Sequence, residues 1–411
     1  MSSTPLTNPS PLETGLQAAF AARSQTSEAQ AAAFERFQKY GFPNRRVEGW
    51  KWSDFNAALR RLQPANDAAG AAAIAPSDFA GLNPIEIRIV DGRIILPEND
   101  AVEGIEYGIV DPVGASPHMD DHAIAALNVA LTRKALGFRV LKGVELVRPV
   151  LIRHINSGST PVFSQTMARA EENSRLTIIE SFEGAGAYYS TLFHLGVREG
   201  AQVERYLLQD AGAEMITHAF CGVMMNRSAK FKQTSLSTGG ALCRHETHML
   251  YPSDGGESRI ASASLLSGER HSDFTTIIGH QGKECTTRQL HKGVARDRGR
   301  NIFQGKFLVE RMAQKTDAKM TANALLLSDM AEANHKPELE IYADDVECAH
   351  GSTSGALDDN ALFYLRQRGL DENAARALLI AAFVGEVIDQ IPDDGVREIF
   401  GAYVNQWLEA A

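Results

Sequence analysis

At 411 residues and 44.7 kDa, the chain is long enough for two or three domains of roughly 150 residues each. Hydrophobic residues make up 44% and charged residues 22%, a balance that excludes wholesale disorder. The 41 Lys and Arg against 51 Asp and Glu leave a net charge of −10, which argues against a nucleic-acid partner. No apolar run approaches the roughly 18 residues of a membrane span, and the N-terminus lacks a basic and apolar leader, so a cytoplasmic protein with no membrane partner is expected.

In chain order, residues 1–85 read as a helical domain. Pro5, Pro9 and Pro11 suit a loose lead, and Ser27 with Gln30 forms a capping box before an Ala-rich helix that Gly41-Phe42-Pro43 stops. Pro64–Gly81 reads as a linker. Residues 86–350 change texture. After a helix expected over Asp120–Leu136, β-prone runs recur at Leu176–Phe182, Val203–Leu208, Lys230–Leu236, Arg259–Leu266, Phe274–Ile278, Lys306–Val309 and Leu339–Tyr342. Turn signals such as Glu183-Gly184, Glu199-Gly200, Asp254–Gly256 and Gly268 separate them. Many short strands indicate a sandwich, barrel or solenoid, and no strict repeat decides among these. Residues 351–411 return to helix: Asp358 or Asp359 caps one, Asp371 a second, and Asp394 or Gly395 opens a third. This tail carries four arginines against ten acids, which suits a solvated acidic face or a docking surface for a basic partner. Lys283–Lys319 is the opposite, with ten basic and four acidic residues, suited to a subunit interface or a solvated sheet face.

Familiar catalytic signatures fail on inspection. Gly299 with Gly305-Lys306 has the wrong spacing for a phosphate loop, and Phe307 stands where Ser or Thr would hold Mg²⁺, so no nucleotide is expected on this chain. Gly351–Gly355 centres on Thr353 and lacks the strand-to-helix setting of a nucleophile elbow. His245 and His248 are three apart in strand-like sequence and point to opposite faces. The cysteines, Cys221, Cys243, Cys285 and Cys348, are dispersed and expected as free thiols. What remains is a repeated Cys-x-His spacing, Cys243-Arg244-His245 and Cys348-Ala349-His350. On a strand, i and i+2 share a face, so a thiolate and an imidazole can meet one iron, zinc or cluster.

The segments Lys315–Thr321, Asn323–Ser328, Lys336–Ile341, Asp344–Thr353 and Leu362–Gly369 together resemble the SufB/SufD family of the SUF iron–sulfur cluster assembly system. Arg46-Val47-Glu48-Gly49-Trp50-Lys51-Trp52-Ser53 looks like the family's N-terminal signature, and Gln289-Leu290-His291 with Asp297-Arg298-Gly299 fits its core. Gly351-Ser352 after the Cys-x-His pair is similar to the SufD branch. The resemblance implies a mainly β fold, a right-handed parallel β-helix (β-solenoid) flanked by N-terminal and C-terminal helical domains. It further implies a non-catalytic subunit that pairs with a SufB-like paralogue through the β-helix and holds the SufC ABC-type ATPase on its C-terminal helices. His350 and its neighbour Cys348 would then face a transient iron–sulfur cluster at the interface between paralogues. Two other readings compete: an autonomous scaffold or homodimer binding iron through Cys243, Cys285 or Cys348, and a β-solenoid carbohydrate enzyme. The last lacks the paired acids it needs.

Overall fold

The computed structural model describes residues 9–62, 74–98, 101–114 and 122–410. In it, helices α1 (Pro11–Ala21), α2 (Glu28–Tyr40) and α3 (Phe55–Arg60) precede strands β1 (Ile85–Val90), β2 (Arg93–Ile95) and β3 (Ile105–Val110), then α4 (Ala123–Leu131). Sixteen strands follow: β4 (Ala135–Val140), β5 (Val150–Asn156), β6 (Val162–Ala170), β7 (Arg175–Gly184), β8 (Tyr188–Val197), β9 (Gln202–Gln209), β10 (Ile216–Met225), β11 (Lys230–Ser237), β12 (Leu242–Tyr251), β13 (Glu257–Leu266), β14 (His271–His280), β15 (Thr286–Ala295), β16 (Arg300–Val309), β17 (Asp317–Leu326), β18 (Glu332–Ile341) and β19 (Glu347–Gly355). Helices α5 (Asp359–Gln367), α6 (Glu372–Ile388) and α7 (Asp394–Glu409) close the chain.

From β4 onward, successive strands alternate between two sheets, and each pairs in parallel with the strand two places on. The result is the parallel β-solenoid that the resemblance implies, about eight coils long. Ile216 lies beside Leu242, 26 residues on, whereas Arg300 lies beside Glu332, 32 residues on. Coils of unequal length explain why no strict repeat is visible in the sequence.

The repeat lies in backbone conformation instead. Gly143, Asn173, Gly200, Ser228, Gly255, Glu284 and Lys315 recur once per coil at one corner, all with φ between 53° and 72°. Each donates its N–H to a carbonyl of the next coil, as in Asn173 to Glu199 O at 2.9 Å, Ser228 to Asp254 O at 3.0 Å and Glu284 to Gln314 O at 3.0 Å. A left-handed conformation costs an ordinary residue about 1–2 kcal/mol, so a glycine sits at three of these seven positions and the coil-to-coil bond offsets the cost at the rest.

Side chains facing the lumen, among them Ile152, Ile178, Phe193, Val223, Phe231, Phe303 and Phe307, make the central core. The outer faces of the two sheets are covered as well. Phe37, Trp50, Phe55 and Leu127 from the N-terminal helices pack on Tyr188, Ile216 and Phe220. On the other sheet, Val384, Val387 and Phe400 of α6 and α7 pack with Phe79 on Leu208, Leu236 and Val294. Lys292 reinforces this contact, its Nζ 2.8 Å from Glu386 and 4.5 Å above the Phe383 ring.

Local readings are refined at several points. Pro11 opens α1 behind a capping box of Ser10 and Glu13, so the loose lead ends before it; Pro5 lies outside the described residues. The helix expected over Asp120–Leu136 ends at Leu131, because Thr132 turns to extended backbone and bonds Asn128 Oδ1 at 2.9 Å; Asp120 itself is outside the described residues. Of the linker expected over Pro64–Gly81, residues 64–73 lie outside the described residues, while Asp78–Leu82 forms a 3₁₀ turn that buries Phe79. Asp393, one residue before the expected Asp394, caps α7.

One tight corner yields a prediction. Gly184 has φ +98°, and a Cβ there would stand 2.2 Å from Asn156 O. Gly184→Ala should lower unfolding free energy by about 2 kcal/mol or more, read by urea denaturation; an unchanged midpoint would refute the close approach.

Candidate functional site: the open coil and the buried clasp

The two sheets end at β18 and β19, each with its outer edge unpaired. At the other end, β1 turns back on β2 and β3 runs antiparallel to β4, so only this end stops on two parallel edges. Strands of 10 and 9 residues with free N–H and C=O groups invite another chain to continue the sheet. Exposed Tyr342, Met330 and Ile341 add apolar surface around the last coil.

Cys348 and His350 lie on this last strand. Cys348 registers with Ala318 and His350 with Met320, both lumen residues of β17, so the i, i+2 spacing does put thiol and imidazole on one face. Cys348 is half-buried against the lumen core, whereas His350 is exposed. Burial pushes the Cys348 thiol above its ordinary range, opposed by a backbone hydrogen bond at Ala318. A protonated thiol ligates weakly until a metal displaces its proton. Among the described residues, Cys348 and His350 meet no third His, Cys, Asp or Glu at metal-ligand spacing, so the two do not make a complete ligand set there.

The other Cys-x-His pair is different. Cys243 and His245 also share the lumen face, but both are buried, and burial pushes the Cys243 thiol up to about 12. No third ligand joins them among the described residues.

Sequence reasoning missed a second constellation, on the outer face of β12 beneath the N-terminal helices. Arg244, only 2% exposed, donates from Nη1 to Gly49 O at 2.8 Å and to Asp273 Oδ2 at 2.7 Å. Its guanidinium lies 3.8 Å from the Trp50 ring centroid and its Nε 3.0 Å from Glu246 Oε1. Ser53 Oγ donates to Asp273 Oδ2 at 2.5 Å, Gln304 Nε2 donates to Gly49 O at 3.1 Å, and Glu48 pairs with Lys336 at 2.8 Å. The segment Glu48–Ser53 is thus a clasp that pins the N-terminal helices to the solenoid.

Glu246 also gathers His122 and His218, whose Nε2 atoms lie 2.8 and 2.9 Å from its Oε1. Two imidazoles and a carboxylate can hold a divalent metal, yet their protons argue otherwise. His122 Nδ1 accepts the Ala125 N–H at 3.2 Å, capping α4, so its Nε2 carries the hydrogen and donates to Glu246 rather than ligating. Arg244 occupies the carboxylate as well. Burial alone would raise the Glu246 pKa; Arg244 and the imidazoles outweigh it and hold the carboxyl well below the usual range. The cluster is an ion-paired network, although His218 Nδ1 and His248 Nε2 are buried without a hydrogen-bond partner among the described residues. Its sequence signal is Arg244-x-Glu246-x-His248, a charged face that alternation alone would assign to solvent.

Residues 153–383 match the family model described as the SUF system FeS cluster assembly, SufBD core domain. The chain is 30% identical over 392 residues to the iron–sulfur cluster assembly protein SufD of Escherichia coli, covering 91% of each. It is 28% identical over 287 residues to SufD of Bacillus subtilis, covering 68% of this chain and 65% of that one. Against an iron–sulfur cluster assembly SufBD family protein of Synechocystis the identity is 32% over 248 residues, covering 57% and 54%.

Arg244→Ala leaves Glu246 and Asp273 buried without their cation, and should cost about 3–5 kcal/mol in urea denaturation, with faster amide exchange across residues 46–53. A loss below 1 kcal/mol would mean that the clasp is not ionic. Acid should weaken the fold for a related reason. Burial lowers His218, His271 and His280 to about 4, and His245 and His291 to about 3, from 6.5. These imidazoles stay neutral when folded and protonate near pH 6.5 when unfolded. The unfolded chain therefore binds more protons between pH 6.5 and 4, and stability falls as pH drops through that window. Equal urea midpoints at pH 7 and pH 5 would contradict this.

Proposed function

The chain belongs to the SufB/SufD family of iron–sulfur cluster assembly proteins, and from that premise we propose that it is the SufD-type subunit of a cytoplasmic SufBCD-type complex. In this reading a SufB-like paralogue stacks on the open coil, and Cys348 and His350 face the cluster being built between the two solenoids. The observation that carries it is the coincidence of two unpaired parallel edges with a thiol and an imidazole that lack further ligands in this chain. A half-site at an unfinished sheet calls for a partner to supply both the next coil and the remaining ligands. An imidazole there ligates iron or donates a hydrogen bond to sulfide, and a thiolate formed as iron arrives adds a soft ligand.

The α5–α6 hairpin supports docking of a SufC-like ATPase. Phe363, Tyr364 and Leu378 are 65%, 57% and 48% exposed, apolar anchors on the outer surface of the hairpin. Lys306, the lysine of the discarded phosphate loop, lies within strand β16 and pairs with Glu340 at 2.7 Å; in this reading the ATP-binding site belongs to the partner. The autonomous scaffold is the weaker reading, since Cys243 and Cys285 are fully buried and neither they nor Cys348 belong to a complete ligand set among the described residues.

Co-purification with SufB-like and SufC-like proteins, read by native mass spectrometry, should give a complex containing all three. A homodimer that ignores both and binds iron alone would favour the autonomous scaffold. Within the complex, His350→Ala should lower cluster yield about tenfold or more while leaving assembly intact, and Phe363→Asp with Tyr364→Asp should release only the ATPase. Unchanged cluster yield would remove His350 from the site.

A further inference from the structure

The open coil has a second lumen-facing imidazole. His335 of β18 registers with Phe303, and Leu339 with Phe307; both phenylalanines belong to the lumen core. His335 is therefore the inward residue of the final coil on the strand opposite Cys348 and His350. Its ring meets His291 edge-on at 6.0 Å and Phe303 at 6.3 Å.

A polar chain runs to it through the lumen. Ser262 Oγ lies 2.8 Å from His291 Nδ1, His291 Nε2 lies 3.0 Å from Asn301 Oδ1, and Asn301 Nδ2 lies 3.5 Å from His335 Nε2. Ser264 Oγ donates to the same Asn301 Oδ1 at 2.5 Å. Two donors thus converge on the amide oxygen, which turns the amide nitrogen toward His335. Asn301 is fully buried, and Gly293 makes room for it, since a Cβ there would stand 2.0 Å from Asn301 Nδ2. An amide N–H can only donate, so His335 Nε2 accepts and its hydrogen resides on Nδ1. That Nδ1–H has no hydrogen-bond partner among the described residues, and burial holds the ring neutral.

We propose that His335 is a positioned N–H donor of the open coil, fixed in its tautomer by Asn301 and His291, and that it hydrogen-bonds anionic sulfur of the species assembled at that coil. The proposal rests on the cluster-assembly reading above. The chemistry differs from that of His350: a donor locked by Asn301 stabilises sulfide or cluster sulfur and does not ligate iron. Turning the Asn301 amide would reverse the whole chain, putting the hydrogen on Nε2 and a lone pair on Nδ1, and the role would become iron ligation.

Long-range ¹H–¹⁵N correlation on the full chain, with the His335 signals assigned by their loss in His335→Gln, should give the Nδ1–H tautomer. The Nε2–H tautomer would overturn the donor role. In the complex with SufB-like and SufC-like partners, given iron and sulfide anaerobically, His335→Ala should lower cluster yield about tenfold. His335→Gln, which keeps an N–H, should retain most of the yield, and both variants should keep wild-type urea midpoints and subunit stoichiometry. Wild-type yield in His335→Ala would overturn the donor role alone. A wild-type complex that forms no cluster would overturn the cluster-assembly reading and this proposal with it.

Discussion

Everything in this molecule depends on each strand finding a parallel partner one coil later. Parallel pairing satisfies a strand's backbone on both sides only if coils stack without interruption. The left-handed corner that runs from Gly143 to Lys315 keeps the stack aligned while coil length varies. Insertions are absorbed in the turns, the lumen stays filled, and the ladder is preserved. The same rule dictates that a solenoid must end on two unsatisfied edges unless something covers them. The N-terminal end is covered by antiparallel strands of the chain itself, whereas the C-terminal end stops on two open parallel edges among the described residues.

How much of this the residues reveal varies with burial. Leu176–Phe182, Val203–Leu208 and Lys230–Leu236 are visible as strands because β-prone side chains alternate between polar turn signals. Strands β8 and β10 escape because helices cover the outer face and the lumen lies inside; with both faces buried, a two-residue period has little polar half to reveal it. Sandwich and solenoid could not be separated by spacing, since the coils differ in length; the family resemblance made that choice. The helix caps at Ser27, Asp358 and Asp371 were legible because a cap is a local bond between residues two or three apart.

The candidate site divides along the same line. Cys348 and His350 were accessible from sequence because the strand period alone puts i and i+2 together. The clasp was not, because Arg244, Glu246 and Asp273 take their meaning from Gly49, Ser53 and His122, more than a hundred residues away. The Trp50 signature, noticed as a family mark, turns out to be half of that contact. His335 was passed over because an isolated histidine in Asn334-His335-Lys336 carries no spacing signal; only coil stacking brings it over Phe303 and next to Asn301.

A stack of coils is close to a one-dimensional system, in which each layer is stabilised by the layers above and below it. The coil of β18 and β19 has a neighbour on one side only. Its local opening free energy is therefore the lowest along the ladder, as at the end of a partly closed zip. Cys348, His335 and His350 sit on this end coil, the segment that any extension of the stack would rigidify most. In the proposed complex, geometry at these residues thereby becomes a property of the assembled pair rather than of one chain.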